Sequence, residues 1–103
     1  MLVNRRTFMV KPGKMDEVKK LVVDYARERG NLSSGSGQRI LTGLVGPFDV
    51  LVLEVDHENL AAYERFWAEV FDHPSAEAFF QKWNMCIESG GTNEIWEETR
   101  IMP

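Results

Sequence analysis

The chain carries two histidines, His57 and His73, one cysteine, Cys86, and an unusual number of aromatic rings. These side chains are where chemistry could begin. Histidine titrates near neutrality and serves as a base or a metal ligand. His57 stands between Asp56 and Glu58 at what reads as a helix start, where it is expected to be a solvated first-turn residue. His73 precedes Pro74 at a helix break, so it is either a hydrogen-bonded hinge residue or a ligand-facing one. Neither H-x-x-x-H nor H-E-x-x-H occurs, and no carboxylate pair has a spacing that requires a two-acid mechanism, so no metal centre is expected. Cys86 lies between Met85 and Ile87 with no histidine near it in sequence, which describes a small buried hydrophobe rather than a nucleophile.

Phe48, Phe66, Trp67, Phe71, Phe79, Phe80, Trp83 and Trp96 are a heavy aromatic load. Helical spacing explains Trp67, Phe79, Phe80 and Trp83 as core. The same type of side chain between a sheet and its helices could line a pocket for a flat organic molecule, with Tyr63, Phe79 and Trp83 as lining candidates. Arg5, Arg39 or Arg65 could meet an anion there if one of them points inward, and Arg5 is the candidate carried into the pocket.

The elements that must position these residues are legible from periodicity. Residues 2–10, LVNRRTFMV, alternate loosely and run into the turn Lys11-Pro12-Gly13, as a strand would. Met15, Val18, Val22 and Tyr25 then recur at helical steps, and Gly30 follows a last turn containing Arg27 and Arg29. Gly30 to Gln38 reads as a Gly- and Ser-rich loop. RILTGLV and DVLVLEV, joined by Gly46-Pro47-Phe48-Asp49, read as a hairpin. Asp56 or Asn59 can cap a second helix carrying Leu60, Tyr63, Trp67, Val70 and Phe71. Pro74 interrupts it and suits a third, which carries Ala76, Phe79, Phe80 and Trp83. Gly90-Gly91 precedes a last strand with Ile95 and Trp96.

A chain of 103 residues with 44% hydrophobic and 27% charged residues is expected to be one globular domain, residues 1–103. The net charge of −4 and the absence of a basic patch argue against nucleic acid as partner. No apolar run reaches a membrane span, and the N-terminus lacks a signal-peptide core. With a single cysteine these features suggest the cytoplasm, where the sequon Asn31-Leu32-Ser33 would be irrelevant.

The order β-α-β-β-α(α)-β, with right-handed crossovers and a central hairpin, implies an α+β fold: a four-stranded antiparallel sheet in ferredoxin-like order with helices on one face. Val50, Leu51, Val52 and Leu53 make the central strand apolar on both faces. Helices can cover one face only. Val50 and Val52, or else Leu51, Leu53 and Val55, must point the other way, and a second copy of the chain is the expected cover, giving a homodimer.

Arg6-Thr7-Phe8-Met9-Val10-Lys11-Pro12-Gly13-Lys14, the Gly46-Pro47-Phe48-Asp49 turn and Glu94-Ile95-Trp96 resemble the NIPSNAP-like families of the dimeric α/β-barrel superfamily, over about residues 3–98. That superfamily includes cofactor-independent antibiotic-biosynthesis monooxygenases, haem-degrading monooxygenases and proteins without assigned activity. The resemblance implies a homodimer that binds a small apolar or aromatic ligand; the alternatives are a monooxygenase and a protein-interaction module. If the chain is an enzyme, His73 or Tyr63 would move a proton. Haem-degrading members use an Asn on the first strand with a later Trp and His, which points to Asn4, Trp67 and His73 as catalytic candidates and makes haem a conceivable cofactor.

Overall fold

The computed structural model describes residues 1–30 and 36–103. Its elements are β1 (Leu2–Met9), α1 (Met15–Arg29), β2 (Ser36–Thr42), β3 (Val50–His57), α2 (Leu60–Asp72), α3 (Ala76–Cys86) and β4 (Thr92–Glu97). They form one four-stranded sheet in the order β2-β3-β1-β4, with every neighbouring pair antiparallel. This is the ferredoxin-like α+β arrangement.

Period-two alternation divides the sheet between two environments. On β3, Leu51 and Val55 are buried and Leu53 packs beside them against the helices. Val50 and Val52 alternate with these and are half-buried on the opposite face. On β1, Asn4, Arg6 and Phe8 share the helix side, because Asn4 pairs with Val55, Arg6 with Leu53 and Phe8 with Leu51, and Val10, just past the end of the strand, is buried in the same core. Arg5 pairs with Glu54 and belongs to the other side. The core joins two clusters, one around Val10, Val18, Leu51 and Trp83, the other around Tyr25, Val55, Phe66 and Val70. The Tyr25 hydroxyl ties α1 to α2 by donating to the Val70 carbonyl at 2.6 Å.

Helix α1 ends as expected: Gly30, at φ 71°, sends its N–H to the carbonyls of Ala26 and Arg27. Asn59, and not Asp56, caps α2, its Oδ1 accepting from the Ala62 N–H at 2.9 Å. Asp56 is instead engaged in β3, where its carboxylate accepts from both Arg39 Nη groups. Strand β2 starts at Ser36, so the Gly30 to Gln38 loop is shorter than its composition suggests; Asn31 to Gly35, with most of that loop and the sequon, lie outside the described residues. At its other end β2 stops at Thr42, before Gly43, leaving Leu44 and Val45 in an exposed connection. Glycine contributes no side chain to hold a strand interior together.

No described helix is long and apolar enough to cross a membrane. No group of three or more His, Cys, Asp and Glu side chains among the described residues could hold a metal ion.

Candidate functional site

Helix-facing residues of β1, β2 and β3 and the inner faces of α1, α2 and α3 enclose a cleft of about 770 Å³. Its walls are mostly apolar and rich in aromatic rings. Tyr25 and Phe79 stack with centroids 4.2 Å apart, Phe79 continues to Trp83 at 5.8 Å, and Phe71 stacks on Phe80 at 5.3 Å. Helical periodicity puts these rings on the inner faces of α1, α2 and α3, while the sheet underneath contributes Phe8, Ile40, Leu53 and Val55.

One wall is fixed by hydrogen bonds. Trp67 Nε1 donates to Asn4 Oδ1 at 2.9 Å. Asn4 is 1% exposed, and its Nδ2 donates to Asn93 Oδ1 at 2.6 Å and to the Glu94 carbonyl at 2.9 Å. Asn93 in turn donates to the Tyr63 hydroxyl at 3.3 Å. A buried amide with every group engaged holds its neighbours in one geometry, so the indole of Trp67 cannot swing freely. Arg6 lies over that indole, its Cζ 3.7 Å from the ring centroid, and its buried Nε has no hydrogen-bond partner among the described residues.

A second cation enters from the last turn of α1. The Arg29 guanidinium lies 4.6 Å from the Tyr25 centroid and 5.8 Å from that of Phe66, and its Nε donates to the Tyr25 carbonyl at 3.4 Å. Burial among these rings pushes the guanidinium below its ordinary pKa, opposed by the Tyr25 hydroxyl.

The structure brings together some of the residues marked from sequence and separates others. Phe79, Trp83 and Trp67 line the cleft, and Asn4 stands behind Trp67. Tyr63 lies outside the lining, against His57 with centroids 5.6 Å apart. Arg5 is on the opposite sheet face, where its Nε donates to Glu54 at 2.6 Å. The inward arginine is its neighbour Arg6, since consecutive strand residues face opposite ways. Arg39 pairs with Glu54 and Asp56, and Arg65 is exposed on α2.

Neither histidine lines the cleft. His73 ends α2, its Nδ1 accepting from the Ser75 N–H at 3.1 Å and its ring meeting Tyr25 edge-on. His57 is not the solvated first-turn residue that its acidic neighbours suggest. It closes β3, is 1% exposed and packs on Phe66. The strand runs past Val55 because Asp56 and His57 pair with Val3 and Leu2 of β1, and alternation turns His57 inward. With neither histidine facing the cleft, Cys86 outside it and the Tyr25 hydroxyl engaged by the Val70 carbonyl, the described residues that line it offer haem iron no free axial ligand and do not fit that group. Cys86 is buried and its thiol donates to Glu17 at 3.1 Å; burial, reinforced by that carboxylate, holds the thiol above its ordinary pKa.

Sequence reasoning missed Arg6 and Arg29. The pairing parity of β1 would have identified Arg6, but register is not visible in one strand alone. Arg29 read as a favourable last-turn cation, which it also is.

No protein-family model matches the chain, and no curated protein matches it. Solved structures do. A NIPSNAP family protein with unknown function from Agrobacterium tumefaciens is 25% identical, with TM-score 0.78 over 100% of this chain and 92% of that one. An uncharacterized NIPSNAP domain protein from Burkholderia xenovorans is 16% identical, with TM-score 0.81 over 100% and 99%. An antibiotic biosynthesis monooxygenase is 14% identical, with TM-score 0.72 over 97% and 100%. The chain is NIPSNAP-like in fold, with monooxygenases among its structural neighbours.

Proposed function

We propose that residues 1–103 form one domain that pairs as a homodimeric α/β barrel, each subunit using its aromatic cleft to bind a small apolar or aromatic molecule. The observation that carries the reading is the cleft of about 770 Å³ with a hydrogen-bonded tryptophan in its wall. Ligand sites are concave and mostly apolar with a few placed polar groups, and this one has rings on several sides and two arginines. The face-to-face dimer is supported by the apolar strip on the sheet face away from the helices. Val50, Val52, Met9 and Leu41 lie there, with Met9 40% and Leu41 44% exposed, and soluble monomers seldom leave such strips uncovered.

The test is native mass spectrometry of the purified protein, followed by calorimetric titration with neutral naphthamide. The expected outcome is a dimer with one saturable site per subunit. Absence of saturable binding by this probe and by its carboxylate counterpart, naphthoate, would overturn the ligand reading, and a monomer across the concentration range would overturn the dimer.

A second reading is favoured by the Trp67–Asn4 pair and by the monooxygenase neighbour. In it the cleft holds a reduced aromatic substrate that dioxygen oxidises without a cofactor. His73, held in its own turn, would need to rearrange to move a proton, whereas Trp67 already borders the cleft. Oxygen uptake with a hydroquinone distinguishes the readings: uptake that falls in Trp67→Phe and Asn4→Ala supports oxygenation, and none supports binding alone.

A further inference from the structure

The charges of the cleft run against those of the chain. The protein carries a net charge of −4, yet the charged residues lining the cleft on the helix side of the sheet are Arg6, Arg27 and Arg29, while Arg39 and Glu54 border it with side chains paired on the opposite sheet face. Glu54 is already occupied by Arg5 and Arg39. Arg6 and Arg29 pair with no carboxylate of the described residues. Both are held by ring faces instead: Arg6 by Trp67, and Arg29 by Tyr25 and Phe66. The Phe66 and Trp67 rings, 5.1 Å apart and edge to face, join the two positions.

A guanidinium stacked on a ring keeps its edge donors for a second partner, because the π face engages the cation and not its N–H groups. At Arg6 the Nε is shut off from solvent without an acceptor, so hydrogen bonds within the described residues do not neutralise that charge. At Arg29 burial disfavours the charged form, a cost that an incoming anion would relieve.

We infer that the ligand of this cleft is an anion: a flat, apolar molecule of the aromatic carboxylate class, its ring between the aromatic walls and its carboxylate taken by Arg6 and Arg29. This rests on the cleft being a small-molecule site. Arginine suits the role because its planar fork matches a carboxylate, and the low polarity of the walls strengthens the pairing relative to water.

The test compares naphthoate with the neutral naphthamide of the same ring substitution by isothermal titration calorimetry on the full chain. Naphthoate is expected to bind about tenfold more tightly, with the ratio falling as ionic strength rises. In Arg6→Gln and Arg29→Gln, checked by circular dichroism for intact folding, the ratio should fall toward one. The salt series on the unaltered protein decides the matter even if Arg6→Gln does not fold, and Arg29, at the end of α1, offers the milder substitution. Equal affinities for the two probes would overturn the anion assignment while leaving the cleft a ligand site. A naphthoate preference indifferent to salt and to both substitutions would overturn it as well. Binding of neither probe would remove the small-molecule reading and this inference with it.

Discussion

At the scale of single residues, Glu54 is the carboxylate most constrained by its neighbours. It is 5% exposed and accepts from Arg5 at 2.6 Å and from Arg39 at 2.7 Å, bridging β1 and β2 across β3. Burial by itself pushes its pKa up. The hydrogen bonds and charges of the two arginines outweigh burial and hold it below the ordinary carboxylate value. A depressed folded pKa means that the carboxylate stabilises the fold fully above the unfolded value and ceases to do so as pH falls through the folded one. Glu54→Gln should therefore cost about 1–3 kcal/mol at neutral pH, measured by urea denaturation, and the gap to the parent should close in acid. A gap that does not change with pH would mean that the charge of Glu54 contributes nothing.

At the scale of elements, the approach of β4 to β1 depends on Gly91. Its φ is 110°, and a Cβ there would collide with the Thr7 carbonyl oxygen, a backbone atom that cannot swing aside. Gly90 has a similar φ of 102°, but nothing lies within 4 Å of where its Cβ would be. Gly90→Ala should cost only the backbone strain, about 1–3 kcal/mol. Gly91→Ala should cost clearly more in thermal denaturation, because β4 must move off β1. Equal losses would show that the contact with Thr7 relaxes freely. The same strand pair carries the Asn4–Asn93 bond behind Trp67, so displacing β4 also loosens a wall of the cleft.

At the scale of the whole molecule, the sheet face away from the helices decides whether the chain stands alone. Val52 is half-buried at the middle of that face, paired with Thr7 and Leu41, and beside it runs the chain of ion pairs from Arg5 through Glu54 and Arg39 to Asp56. If two such faces pack together, Val52→Asp should weaken association by roughly a hundredfold in Kd, about 3 kcal/mol, because a carboxylate would enter an apolar contact. Analytical ultracentrifugation reads this directly. An unchanged dimer would place the interface elsewhere. Leu44, Val45 and Phe48, at 97%, 94% and 90% exposure, extend the apolar surface at the tip of the connection between β2 and β3.

Much of this architecture was legible before any fold was known, because the signals are local. Helical periodicity from Met15 to Arg29 and Gly30 as its terminator, the continuous apolar run of β3, and the Pro74 break between α2 and α3 each depend on neighbours within a few residues. Element order then left few topologies. The tertiary structure alone decided which residues meet. Strand parity turned Arg6 into the cleft and Arg5 onto the opposite face, and pairing with β1 extended β3 far enough to bury His57. Asn4 found Trp67 across 63 positions and Asn93 across 89, while His73 kept to its own turn. Periodicity tells a residue which side of its own element it occupies; only the packing of distant elements determines what stands on that side.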